Sequence, residues 1–260
     1  MLDVHPPHHP THSWRDFFIH IATICVGLLI AIGLEQTVEA IHHHHQRIEL
    51  EAQLRNEAQR NLDLVQQNVT RLQAELAWYN SNIVALNAAP VTNGTIPSAV
   101  LVPPGNIFRI GLLDPSQATW AVAKANGSVA LLPEDEAQVY SRLDHEADLL
   151  QQPEAELLRD RLAVQSLRQS RTGLPSNQLD HLTLDQRDAL THAMAALHSD
   201  SNILLVLELN EAGACRGVLH NARTVDEMIS YMIHEIEQFN AQHPPNLAPW
   251  SSTSEKLPSP

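Results

Sequence analysis

Four consecutive histidines, His42-His43-His44-His45, form the densest run of metal-binding side chains in this sequence. On a helix, His42 and His45 stand one turn apart and can share a transition metal. A tight site needs further ligands, from a second subunit or from nearby carboxylates such as Glu39 and Glu49. Consecutive positions, however, point around a helix instead of converging. The competing reading is a weakly basic polar collar, and the spacing favours it.

Two other groupings combine imidazole with carboxylate: Asp144-His145-Glu146 and His234-Glu235 with Glu237. Neither makes the H-E-x-x-H zinc pattern, and solvated helix faces account for both. No G-x-S-x-G nucleophile elbow and no phosphate-cradling glycine loop occurs. Cys25 lies within an apolar run and Cys215 stands alone in AGACRG. A disulfide framework and a cysteine zinc site are therefore both excluded. The expectation is a protein without enzymatic activity or cofactor.

The elements that must carry these residues begin with an apolar run from Phe17 to Leu34, FFIHIATICVGLLIAIGL. As a helix it rises about 27 Å, close to the roughly 30 Å hydrocarbon core of a bilayer. A cleaved signal peptide would show a small-x-small site, and the run ends instead in Leu34-Glu35-Gln36. A buried core helix seldom lacks a polar face over this length. Trp14 suits an interfacial anchor, and His20 lies close enough to the end of the span to reach headgroups. The reading is a membrane anchor that meets the lipid bilayer through residues 17–34. Arg15 precedes the run and the next arginine is Arg47. The positive-inside tendency then puts the N-terminus in the cytoplasm and the C-terminal part in the periplasm or another extracytoplasmic space of the cytoplasmic (inner) membrane.

Net charge is −14, and of the 30 acidic residues only Asp3 and Asp16 precede Glu35. Such a surface repels nucleic acid, whose binding requires clustered Lys and Arg, so no nucleic-acid partner is expected. Aromatic residues make up only 4% of the chain, and there are 9 glycines; this composition favours helix over sheet.

From Glu35 to Ala88 there is neither proline nor glycine. Ala58, Leu62, Val65, Val69, Leu72, Leu76, Tyr79, Ile83 and Leu86 alternate spacings of four and three, a heptad seam. Leu34, Val38, Ile41, His45 and Ile48 form another, joined through Leu50, Leu54 and Ala58 by a stutter. The 34–86 seam must be covered by the chain's own later helices or by another subunit, either a homo-oligomer or a helical protein partner.

The expected organisation is a His/Pro-rich disordered tail over 1–13 and a transmembrane helix with its interfacial ends over 14–40. A long seam-bearing helix covers 41–89, a linker or irregular loop 90–113, a helical bundle 114–243 and a disordered tail 244–260. Within the bundle, Asp114-Pro115-Ser116-Gln117 reads as an N-cap, first-turn proline and capping box, with a C-cap at Gly127. Pro133-Glu134 opens a helix towards Thr172-Gly173, kinked or broken at Pro153. Thr183–Gln186 and Thr224–Glu227 cap two more, running to about Leu219 and Gln242. The apolar ILLVLEL stretch over 203–209 reads as buried helix rather than strand. The fold class is all-α: a transmembrane helix continuing into a coiled-coil-like helix, packed with a C-terminal helical bundle. Trp120 and Tyr140 are expected to pack a short helix onto that bundle.

Two segments, HSWRDFFIHIATICVGLLIAIGLEQTVEAIHHHHQR and TWAVAKANGSVALLPEDEAQVYSRLD, carry a family resemblance. The matching residues are Gly27 to Ile32, then Trp120, Ala123, Gly127, Leu131, Pro133 and Tyr140. Together these segments, about a quarter of the chain, resemble uncharacterised bacterial single-pass membrane proteins carrying a domain of unknown function. The resemblance implies bacterial origin and membrane attachment and supplies no activity. Two functions fit: a membrane-anchored scaffold or interaction protein of the bacterial envelope, or an extracytoplasmic ligand or metal sensor acting through a partner protein.

Overall fold

The structure is a computed structural model that describes residues 14–101, 112–168 and 181–243. The tails expected over 1–13 and 244–260 lie outside the described residues. Five α-helices dominate: α1 (Trp14–Ala88), α2 (Ala118–Asn126), α3 (Glu134–Arg168), α4 (Leu184–Leu219) and α5 (Val225–Gln242). The fold is all-α, as the composition indicated. The chain divides into two compact units, Met1–Glu49 and Leu50–Pro260, and α1 contributes to both.

In the first unit, α1 carries the apolar run with its large side chains exposed; Leu29 is 69% and Ile24 62% accessible. This helix is long and apolar enough to cross a membrane, and none of its most apolar stretch is buried.

In the second unit the seam of α1 is covered by the chain's own helices. Leu62 and Val65 pack with Ala212 and Cys215 of α4. Leu72, Leu76, Tyr79 and Leu86 join Leu150, Leu157 and Val164 of α3 and Leu190 to Leu209 of α4 in the largest core cluster. At the other end, Leu50, Leu54 and Ala58 meet Trp120, Tyr140, Val218, Met228 and Met232. These neighbours fix the topology: α3 and α5 run parallel to α1, and α4 runs antiparallel to all three. Burial of such a seam, at about 25 cal/mol per Å² of apolar surface, is the main force holding the bundle. Trp120 and Tyr140 are buried with ring centroids 6.0 Å apart, packing α2 onto the bundle.

Local chemistry explains most helix ends. Thr183 and Gln186 form a reciprocal capping box on α4, and the Thr224 hydroxyl accepts from Glu227 N at the start of α5. Gly127, with φ of 78°, takes the left-handed conformation that closes α2. Residues 203–209 are helical, as the flanking pattern indicated. The α4–α5 contact is close because Gly213 and Gly217 face Met232 and Met228 without a Cβ between the backbones.

Three local readings differ from what forms. The helix read from Asp114 begins at Ala118, with Gln117 at the N-cap and no side-chain cap bond. Here α1 holds residues 113–116 extended, as described below. Helix α3 continues unbroken through Pro153. Leu150 and Leu157 are buried on either side of it, and that burial outweighs the roughly 3 kcal/mol helix penalty of proline. The 90–113 stretch, read as a linker or irregular loop, contains strand β1 (Thr95–Pro97), antiparallel to β2 (His181–Thr183). It starts from a two-residue Asn93-Gly94 turn, both residues having positive φ, closed by Thr92–Thr95 backbone bonds of 2.9 and 3.1 Å.

Candidate functional site

Beside its apolar seam, α1 carries a second row that is polar and buried. Asn61, Asn68, Glu75 and Asn82 recur every seven residues, each at 2% exposure or less, and Glu57 stands one turn before them. Seven residues is two helical turns, so this row lies along one face of α1. Buried polar groups cost stability unless they are bonded, and almost every group here is.

The two upper asparagines grip a return segment, residues 112–117, that runs antiparallel along α1. Asn61 donates through Nδ2 to Ser116 O (2.8 Å) and accepts at Oδ1 from Ser116 N (2.9 Å). Asn68 repeats this one heptad on, donating to Leu113 O (2.9 Å) and accepting from Leu113 N (3.0 Å). A primary amide presents the same donor–acceptor pair as a peptide group, so each asparagine stands in for a neighbouring strand. Glu57 accepts from Ser116 Oγ at 2.8 Å and from Thr119 N at 3.2 Å, placing a carboxylate at the start of α2. That cap, reaching over from α1, supplies what Gln117 does not.

Further along, Glu75 pairs with Arg161 of α3 and accepts from Tyr79 Oη at 3.3 Å. Burial pushes the Glu75 carboxyl up against the opposing pull of Arg161. The Tyr79 phenol is raised well beyond its ordinary range, by burial first and then by the Glu75 charge. Asn82 closes on its own helix, donating to Trp78 O at 2.8 Å.

The row also meets acids on the other helices. Asn68 Nδ2 donates to Glu208 Oε1 of α4 at 2.9 Å. Glu208 is fully buried, and its Oε2 has no hydrogen-bond partner among the described residues. Burial pushes its carboxyl up to about 9; the charges of Glu154, Glu211 and Asp114 add to this, and the Asn68 hydrogen bond opposes it. Glu211, one turn on, is raised to about 8 by burial. Glu154 of α3 is also raised to about 8, by burial first and then by the neighbouring Asp114 carboxyl. Burial thus favours the protonated form of all three carboxyls. Asp114, Glu154 and Arg161 line a cleft of about 500 Å³ between the return segment and α3. No nucleophile–base pair is found among the described residues that line it.

The groupings singled out in the sequence are placed elsewhere. His45 Nδ1 contacts Ile41 O at 2.8 Å, and His42 Nε2 contacts Gln46 Nε2 at 3.0 Å. His43 lies 4.0 Å from Glu39. No group of three or more His, Cys, Asp or Glu side chains able to hold a metal occurs among the described residues. Asp144 pairs with Lys124 at 2.8 Å, Glu146 with Arg142 at 2.5 Å and Glu235 with Arg216 at 2.8 Å, while His145 and His234 are exposed. The buried row escaped the sequence reading because only apolar positions were followed. Asn and Glu at every seventh residue was the available sign.

No protein family, curated protein or solved structure matches the chain.

Proposed function

We propose that this chain is a membrane-anchored helical scaffold or interaction protein of a bacterial envelope. Residues 17–34 are its anchor, the N-terminus is cytoplasmic, and the unit from Leu50 onward lies outside the inner membrane. The observation that carries this reading is the exposed apolar surface of α1 between Phe17 and Leu34, which water solvates poorly and a bilayer accepts. The likeness of the 12–47 and 119–144 segments to bacterial single-pass proteins supports the same reading.

The bundle narrows where partners can bind. From Leu50 to Leu86 the seam is occupied by α2, α3, α4 and α5, so association along that length loses its basis. Leu34, Val38, Ile41 and Ile48 remain exposed, and they are the section available to a second copy or a helical partner.

Alkaline carbonate extraction of membranes from cells expressing the full chain tests the anchor. The protein is expected in the pellet, and a Leu28→Arg, Ile30→Arg variant in the supernatant. Release of the unaltered chain would remove the anchor from the account.

A further inference from the structure

Gly27, Ala31, Leu34, Val38, Ile41, His45 and Ile48 follow one another along α1 at alternating spacings of four and three, so they form one stripe on the helix. All seven lie in the first unit and all are exposed. Leu34, Val38, Ile41 and Ile48 are each more than half accessible.

The stripe changes its chemistry where the apolar run ends. Within the run it holds Gly27 and Ala31, a small pair one turn apart; beyond, its apolar members are large. In lipid, large apolar side chains gain little by meeting, and helices associate through small residues that let their backbones approach. In water the gain comes from burying large apolar side chains. A stripe that uses each device in its own medium suits a helix crossing the same boundary at the same level. A second copy of this chain is such a helix. Anchored copies share one orientation, so their stripes run parallel and each residue faces its own counterpart.

Two further observations favour a second copy. A Cβ added at Gly27 would meet nothing within 4 Å, whereas Gly213 and Gly217 stand against Met232 and Met228. Glycine weakens a helix relative to alanine, and no contact within the described residues requires it at position 27. Charge also agrees. With Val38 and His45 at a, and Leu34, Ile41 and Ile48 at d, parallel copies bring each g residue beside the e residue five places on in the other. Those pairs are Thr37 with His42 and His44 with Glu49. Neither sets two carboxylates together, and the second offers an imidazole N–H a carboxylate acceptor. His45, a polar residue at an a position, fixes the register.

We propose that two copies of this chain pair in parallel through this stripe, with Gly27 and Ala31 meeting inside the bilayer and Leu34 to Ile48 meeting beyond it. The pairing rests on the anchor reading above and adds the partner and the register to it.

Disulfide mapping in isolated membranes tests the pairing, on the full chain carrying Cys25→Ser with buried Cys215 left in place. Ile41→Cys and Ile48→Cys, each oxidised with diamide, should give a product of twice the chain mass. Gln36→Cys and His43→Cys, at f positions on the opposite face, should give at least fivefold less. Adding Gly27→Ile and Ala31→Ile to the Ile41→Cys chain should cut its product at least threefold, by holding the helices apart. Carbonate extraction of the same membranes reads the anchor separately. A chain that stays in the pellet but cross-links equally on both faces, not at all, or only to a protein of another mass overturns the pairing and leaves the anchor standing. So does a product that the Gly27→Ile, Ala31→Ile change leaves undiminished. A chain released to the supernatant overturns the anchor and the pairing with it.

Discussion

Asn68 of α1 and Glu208 of α4, 140 residues apart in sequence, meet side chain to side chain at 2.9 Å with neither exposed to solvent. The same Asn68 amide carries both backbone bonds of Leu113, so one residue joins α1, the return segment and the antiparallel helix α4. Such a shared group fixes register more sharply than apolar packing, which tolerates sliding.

Replacing Asn68 by Ala should therefore be costly. Three hydrogen bonds are lost, and partly buried Leu113 backbone groups and the buried Glu208 carboxyl are left unsatisfied, for about 2–4 kcal/mol of stability. Asn61→Ala should cost less, since it serves Ser116 alone. Gln59→Ala, exposed on the same helix, should stay within about 0.5 kcal/mol of the parent. Denaturant unfolding in micelles, followed by circular dichroism, ranks the three.

Stability should fall as pH rises. The folded-state value for Glu208 is about 9, against an ordinary value of 4.5. Below pH 4.5 the carboxyl is protonated in both states and contributes no pH dependence. Between 4.5 and 9 the unfolded chain releases the proton that the fold retains. Each such group then removes up to ~1.4 kcal/mol per pH unit. The chain should melt higher at pH 5 than at pH 8, and Glu208→Gln should reduce that difference by at least ~1 kcal/mol. An unchanged slope in the variant would count against a buried neutral Glu208.

Gly213 and Gly217 make a graded pair on α4. A Cβ at Gly213 would lie 2.8 Å from Met232 N and closer still to its Cα, so backbone must shift; at Gly217 the nearest Met228 atoms are 3.2–3.4 Å away. Gly213→Ala should lose ~2–3 kcal/mol, and Gly217→Ala distinctly less, because the helix preference of alanine offsets part of its strain. Thermal melts of the two variants decide the order.

Much of this fold was legible in the residues. The Thr183–Gln186 box, the Thr224 cap and the Gly127 stop stand in local sequence and form as local geometry dictates. The helical state of residues 203–209 followed from their flanks. Less legible were features decided by distant partners. Asp114-Pro115-Ser116-Gln117 has every local mark of a helix start, yet Asn61 and Asn68 claim its backbone first. Pro153 has the local mark of a break, but packing at Leu150 and Leu157 carries α3 through it. Glu208 sits in an apolar stretch, and only the return of residues 112–117 along α1 shows which acids surround it.

Removing the left-handed glycine at the end of α2 offers a local check. Gly127→Ala forces a Cβ into φ of 78°, at a cost of ~1 kcal/mol. The loss should appear as a lower unfolding midpoint with an unchanged denaturant slope.

The measurement bearing most directly on the whole account is membrane topology. A reporter fused after Pro260, probed by protease in intact and permeabilised spheroplasts, should be digested in intact spheroplasts while a cytoplasmic control survives. A reporter protected until permeabilisation, or one recovered in the soluble fraction, would contradict an envelope protein anchored through residues 17–34.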